Sequence, residues 1–411
     1  MAEPGLEALT RVVETTDRWL RAQAWPLWLE HGVDWDRGGF HEHLCPSTLR
    51  CDAPFRRLRV AARQVYAFSH AARASLPKAH DAVELGLRSI RTHFALSGGR
   101  YATRCDVQGT VIDARVDLYD QAFVLLALAS AHALRPCHRL RHEAHALVRF
   151  LDTSLRHPGG SGFREGLPDR LPRRQNPHMH LLEAFLAAGE SFHDDLFFVR
   201  AAEMVDLFLD VLFQDAAGAL PESFDAAWRP LAESKVFIVE PGHHAEWIWL
   251  LSRFVDLTGD RSGRRARCDA AAQALGRFTQ RFGAGPLFDT VWSDGRVRSP
   301  GRSLWPQAEA LKAEACRADR STDGLLRAYA NLGRFLLPEP KGLWREQIGP
   351  GREGPNSVAR ASSLYHLTGA ITEASRRLSH GHAPTAAPDR APPDGGEEIV
   401  GHPRDDRAPV P

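Results

Sequence analysis

Three histidines in this 411-residue chain, His180, His243 and His366, sit within or near the start of apolar helical runs. Imidazole titrates near neutrality, so it can take a proton from a substrate and return one in the same turnover. In Gly242-His243-His244-Ala245-Glu246-Trp247, His243 and Glu246 are three apart and share a helix face, whereas His244 lies about 100° away. That spacing places Glu246 to hydrogen-bond or charge an inward histidine. It equally suits a core histidine beside a helix-start carboxylate favoured by the dipole. In Asn176-Pro177-His178-Met179-His180-Leu181-Leu182-Glu183, Asn176 reads as the cap and Pro177 as the first helical residue. Positions 176, 180 and 183 then share a face, which joins His180 to Glu183 and leaves His178 for packing. Trp305 and Glu309 lie one turn apart in Trp305-Pro306-Gln307-Ala308-Glu309. A ring that packs on C–H faces beside a carboxylate that accepts hydroxyl protons suits a sugar, and a core tryptophan with a helix-start glutamate is the bland alternative. His366 follows Ser362 and Ser363 on an otherwise apolar helix. Tyr119 offers a hydroxyl and Arg63 a fixed cation, with Arg59 one turn earlier competing for the cationic role.

These residues belong to six clusters that recur about every 56 to 67 residues, around Arg63, Tyr119, His178, His243, Trp305 and His366. A period of this size points to a closed or stacked helical architecture. Apolar periodicity predicts twelve helices, near 5–32, 56–76, 79–96, 115–134, 137–156, 177–191, 194–213, 241–258, 262–282, 304–318, 321–337 and 358–378. Those carrying the clusters are apolar nearly all round, as helices buried on both sides must be, and their alternates are more charged. An inner ring wrapped by an outer ring follows: an all-α (α/α)6 barrel, or toroid. A solenoid fits less well, because neither end shows a polar capping repeat. Short hairpins and loops join the helices. Turn chemistry marks Asp34–Phe40, Arg100–Ala114 around Gln108-Gly109, and Phe288–Val297 around Asp294-Gly295. One catalytic domain over 1–378 is expected, followed by a Pro/Gly/Asp-rich tail over 379–411 whose composition predicts disorder.

Bulk properties narrow the classes. A formal charge of +1 provides no basic field for nucleic acid or an anionic membrane. The six cysteines are scattered without C-x-x-C spacing, as expected of reduced structural thiols. No signal-peptide core and no membrane-length apolar run occurs, so a cytoplasmic protein is expected. Phosphate-binding loops and the nucleophile elbow are missing, which leaves nucleotide cofactors without support. No metal is expected either, because the candidate ligands are spread over separate helices beside an arginine.

Taken in order, Gly38-Gly39-Phe40, Arg63, Tyr119-Asp120, Asn176 to Ala184, Gly242-His243 with Glu246-Trp247, Trp305-Pro306-Gln307 with Glu309, and Ser362 to His366 resemble the N-acylglucosamine 2-epimerase family from about Trp19 to Ala374. The family fold is the (α/α)6 barrel. The resemblance implies cofactor-independent proton transfer at C2 of an open-chain monosaccharide through a cis-enediol. By residue match, His366 would take the C2 proton, and His243 would help open the ring or reprotonate. His180 and Arg63 would bind the carbonyl end, and Glu246 would orient the His243 region. Tyr119, Asn176, Glu183, Trp305 and Glu309 would bind or support the sugar. Trp247 is similar to the mannose isomerase branch, which implies D-mannose/D-fructose isomerisation, with D-lyxose as a further substrate. A sugar 2-epimerase is the nearest alternative; a glycoside hydrolase on the same toroid and a non-catalytic sugar sensor are more distant. The expected protein is a monomer or homodimer.

Overall fold

The computed structural model describes residues 4–259, 263–349 and 358–379. Among them the chain forms twelve helical rods. Four of these contain a five-residue π turn, a local widening of the helix. The outer set is α1 (Pro4–Trp19, continued by the π turn Leu20–Ala24 and by Trp25–His31), α3 (Ala79–Ser89, then Ile90–Phe94), α5 (His138–Phe150, then Leu151–Leu155), α7 (Asp195–Leu207, then Phe208–Leu212), α9 (Arg265–Gln280) and α11 (Thr322–Gly333). The inner set is α2 (Leu58–Arg73), α4 (Leu118–Leu134), α6 (Gln175–Phe192), α8 (Pro241–Thr258), α10 (Leu304–Cys316) and α12 (Ala361–Ser379).

Each inner helix packs on the next, and α12 returns to α2, so the ring closes; α3, α5, α7, α9 and α11 back their preceding inner neighbours, and α1 lies against α11 and α12. The apolar circumference explains the layering. In α4, residues 120–129 are all buried, whereas α5 buries a stripe through Leu140, Ala144, Leu147 and Val148. Ring closure is reinforced where His43–Leu44 pairs antiparallel with Ala359–Arg360, joining the first and last repeats. Trp28 stacks on Trp344 at 5.2 Å, and Trp25 donates its indole hydrogen to Thr368 at 3.1 Å, so α1 seals the same seam.

The anticipated hairpins form. Arg104–Asp106 pairs with Val111–Asp113, and Thr290–Trp292 pairs with Val297–Ser299. The four-stranded sheet that Val236–Val239 completes with Ala232–Glu233 was not anticipated. In the turn before Phe40, Gly39 has φ +143°, and a Cβ there would lie 2.5 Å from the Arg56 guanidinium, which is held by the Gly38 carbonyl and Asp34.

The sequence repeat has a physical basis here. Gln121 and Gln307 each accept a backbone N–H and return an N–H to the carbonyl of the same residue, Tyr101 and Leu287 respectively. His178 and His244 accept from Phe163 N and Leu220 N through Nε2. One polar side chain near the start of each of these inner helices therefore pins the loop that precedes it. His178 and His244 are structural, and burial lowers their pKa values to about 4 and about 3.

Asn176 is a correction. The helix begins at Gln175 behind an extended Arg174, so Asn176 lies inside the first turn, and its side-chain oxygen caps nothing. Pro177 and Pro306 occupy the third helical position, where the missing N–H is still among the orphan donors. Ser379 ends α12 rather than opening the tail, and 380–411 lie outside the described residues.

Candidate active site

All six inner helices start at the same end of the ring, and each sends at least one side chain into a cavity of about 240 Å³. Arg63 comes from α2, Tyr119 from α4, Asn176 and His180 from α6, His243 and Glu246 from α8, Trp305 from α10, and Ser362, Ser363 and His366 from α12. Glu240, Glu346 and Arg360 complete the wall from the connecting segments. The three histidines thus meet in one hollow. Arg59 does not join them: it is bonded to Asp120 at 2.6 Å and covers the outer side of Tyr119.

The histidines differ in what holds them. His366 Nδ1 lies 2.7 Å from Glu309 Oε1, and Glu309 is also 2.6 Å from the buried Lys312 ammonium. Lys312 in turn sits 3.6 Å from the Trp249 ring centre. Burial, together with the Arg63 and Lys312 charges, holds His366 well below the ordinary imidazole range. Its Nδ1–H is committed to Glu309, which leaves Nε2 as an unprotonated base toward the cavity.

His243 is the opposite case. Burial disfavours its charge, yet Glu222 at 2.8 Å and Glu240 at 3.6 Å outweigh that cost and raise its pKa to about 10. It is an imidazolium at neutral pH. His180 is lowered to about 4 by burial, although its Nδ1 lies 3.2 Å from Glu183 and 3.7 Å from Glu246. Burial is the largest influence and outweighs the carboxylates here, and the Arg63 charge adds to it.

Arg63 donates to the Tyr119 hydroxyl and lies over the Phe123 ring, 4.2 Å from its centre. No carboxylate comes within ion-pair distance of it among the described residues, and its Nε has no acceptor. Such a cation is free to meet negative charge that develops on a substrate. Trp305 stands between two of the histidines, with ring centres 4.9 Å from His243 and 5.8 Å from His366. Gly242 makes room for it, since a Cβ there would lie 2.6 Å from the indole.

Two expected partnerships change. The carboxylate on His243 is Glu222 rather than Glu246, because Glu246 projects toward His180. Glu309 does not face a sugar; it is fully buried behind His366. Glu183 likewise stands behind His180 and also accepts from the Tyr365 hydroxyl. Trp247 lies outside the cavity but reaches it indirectly. Its indole donates to Gln175 at 2.8 Å, Gln175 donates to Glu222 at 3.0 Å, and Glu222 holds His243.

The residues missed from sequence are therefore Glu222, Glu240, Gln175, Lys312, Tyr365, Glu346 and Arg360. Lys312 carried a signal, being a lysine three residues after Glu309 on an otherwise apolar helix face. Glu346 carried none; it is fixed by Trp344, Ser363 and the Arg360 amide.

Two groups, His180–Glu183–Glu246 and Glu222–Glu240–His243, bring donor atoms within 4.8 Å of one another. In each, the histidine nitrogen is already engaged by a carboxylate, and we assign neither as a metal site. A second cavity of about 400 Å³ opens at the opposite end of the ring among Tyr66, His70, Arg253 and Glu373. It touches Glu183 from behind and is lined by three histidines of its own, His70, His132 and His193, none of them shared with the first cavity.

Comparison with known proteins agrees with this fold. Residues 38–370 match the profile of the family described as N-acylglucosamine 2-epimerase (GlcNAc 2-epimerase). The chain is 36% identical over 374 residues to a protein named mannose-6-phosphate isomerase from Rhizobium meliloti (strain 1021), covering 86% of this chain and 94% of that one. It is 28% identical over 286 residues to a D-mannose isomerase from Thermobifida fusca, covering 64% and 70% of the two chains. Its fold matches the structure of cellobiose 2-epimerase from Spirochaeta thermophila DSM 6192 with a TM-score of 0.79 and 21% identity, over 90% of this chain and 98% of that one.

Proposed function

The chain belongs to the N-acylglucosamine 2-epimerase family and is a sugar isomerase or epimerase, and within that class we propose that it interconverts D-mannose and D-fructose, with D-lyxose/D-xylulose as a second pair. One observation carries the reading. Two imidazoles in one sugar-sized cavity are pushed to opposite protonation states, His366 neutral and His243 charged. Titratable groups driven apart by their surroundings divide into base and acid.

In this mechanism the imidazolium of His243 donates to the ring oxygen as the C1–O5 bond breaks, and the O1 hydrogen is released to solvent, from which His243 regains its proton. His366 Nε2 takes the C2 proton of the open aldose. Arg63 and Tyr119 meet the carbonyl oxygen as charge develops there. His180, whose Nδ1–H is held by Glu183, accepts a sugar hydroxyl through Nε2. His366 then returns its proton to C1 as the O2 hydrogen passes to O1, which produces the ketose. One base on one face suffices for this 1,2-transfer, and no cofactor is required.

Epimerisation at C2 is the second reading, and the charged His243 favours it, because that reaction needs a donor on the face opposite the base. Proton NMR in D2O with mannose, glucose, N-acetylmannosamine and cellobiose, each tested separately, decides between them. The expected result is fructose from mannose. Formation of the C2 epimer alone would establish the epimerase reading. Mannose 6-phosphate belongs in the same series because a relative bears its name; turnover of the phosphate and not of free mannose would overturn the assignment. Release of reducing sugar from oligosaccharides would instead indicate a hydrolase, which needs two carboxylates flanking the scissile bond.

A further inference from the structure

We propose that Glu246 is held as a neutral carboxylic acid and is the catalytic residue that carries a proton between the two oxygens of the reacting sugar; this rests on the enediol reading above. Glu183, Glu246 and Glu309 are buried together around a single lysine, Lys312, and each is at most 4% exposed. Their partners are unequally shared. Glu309 takes Lys312 and His366, and Glu183 takes His180 and the Tyr365 hydroxyl. Glu246 is left over.

Its Oε1 is sealed from solvent without a hydrogen-bond donor. The nearest basic nitrogen, His180 Nδ1, is 3.7 Å away and already committed to Glu183. An ionised carboxylate in that position would be a buried charge with no counter-ion, a state that costs several kcal/mol and that one bound proton removes. The groups around it are Glu183 and His180 from α6, Glu309 and Lys312 from α10, Tyr119 from α4, Tyr365 from α12 and His243 on its own helix. Burial and then Glu309 and Glu183 push the acid well above the usual carboxylate range, and Lys312 and His243 offset this only in part. Because Glu246 lines the cavity while Oε1 is sealed, Oε2 is the oxygen that meets the sugar.

The chemistry then balances without any further reactant. As His366 takes the C2 proton, the C–H electron pair becomes the C1–C2 double bond, the carbonyl π pair moves to O1, and Glu246 protonates O1. The product is a neutral enediol and a Glu246 carboxylate, which Lys312 and the new His366 imidazolium stabilise. Glu246 next takes the O2 hydrogen as the C2=O2 bond forms, and His366 delivers its proton to C1. Both side chains finish in their starting states.

Glu246→Gln preserves shape and a hydrogen-bond donor but has no proton to release. The expected kcat for mannose-to-fructose conversion falls by about 10²–10⁴-fold with KM near wild type, the usual range for a lost acid–base group. Deuterium exchange at C2 of mannose should fall less, because the enediolate can still return to C2; the ratio of exchange to isomerisation therefore rises. A kcat within a few-fold of wild type would overturn the proposal. The infrared difference spectrum between wild type and E246Q at neutral pD should show loss of a carboxylic-acid C=O band; loss of an ionised carboxylate band instead would also overturn it. If E246Q is poorly folded, Glu246→Ala with added formic acid takes its place, and rescue should strengthen as pH falls. Rescue that strengthens with rising pH would again refute it. Wild-type protein that forms no fructose and exchanges no C2 hydrogen sinks the isomerase reading itself, whereas the infrared result judges the protonation of Glu246 separately.

Discussion

Glu222→Gln should lower the pH at which His243 loses its charge. In the wild type, Glu222 Oε2 lies 2.8 Å from His243 Nδ1 and also accepts from Gln175 at 3.0 Å, while its other oxygen accepts the Glu240 amide at 3.1 Å. A glutamine can retain the Glu240 contact through its carbonyl. Its NH₂ group then faces two donors, the Gln175 amide and the His243 Nδ1–H, and the strain is relieved when His243 gives up that hydrogen. Raising His243 from 6.5 to about 10 corresponds to about 5 kcal/mol in favour of the charged ring, at roughly 1.36 kcal/mol per tenfold. Glu222 supplies the larger attraction and Glu240 the smaller, so loss of Glu222 should lower the transition by at least about one pH unit, a tenfold change in the ratio of charged to neutral ring at fixed pH. The assay is kcat/KM against pH for both proteins, paired with NMR titration of the His243 ring. The alkaline limb of the profile should move toward neutrality in the variant, in step with the ring titration. The same shift predicts stability: a raised histidine pKa contributes fully below 6.5 and its contribution is lost as pH rises through about 10, so the wild-type advantage in melting temperature narrows at alkaline pH. Superimposable alkaline limbs, or a wild-type His243 that is neutral at pH 7, would refute the reasoning.

Other outcomes follow from the same geometry. Gly242→Ala places a methyl group 2.6 Å from the Trp305 indole and 2.9 Å from Pro306, so Trp305 must shift; overpacking should cost about 1–3 kcal/mol of stability, and KM for mannose should rise. A variant with wild-type KM and unaltered tryptophan fluorescence would contradict this. Lys312→Met removes the only lysine among three buried carboxylates and should destabilise the fold by about 3–5 kcal/mol, measured by denaturant unfolding. A loss below about 1 kcal/mol would mean that Glu309 is already protonated. Turnover should persist after prolonged EDTA treatment, and loss of activity restored by a divalent cation would show that one of the two donor clusters binds metal.

The ring could be read from the sequence because its signal is local. Helices buried on both sides must be apolar nearly all round, as in Ala122 to Ala131, and their outer partners must not be. Gln121, His178, His244 and Gln307 lay inside the recurring clusters, but only the structure showed that each pins its own preceding loop, within about 25 residues of chain. The same locality placed His180, His243, His366 and Arg63 at the inner-helix starts, where closure of the ring brings them together. Who partners whom was settled only by tertiary structure. Helical spacing joined His243 to Glu246 and exposed Glu309 to a sugar, but three residues along a helix fix only a shared face, not the end point of a long side chain. Glu222 reaches His243 from the bend before the strand Ser223–Phe224, Tyr365 reaches Glu183 from another helix, and Lys312 gathers three acids from three helices. Such contacts depend on which elements abut around a closed ring. They decide which imidazole holds its proton and which carboxylate stands without a counter-ion, because a buried charge is governed by everything within a few ångströms and very little by its neighbours in sequence.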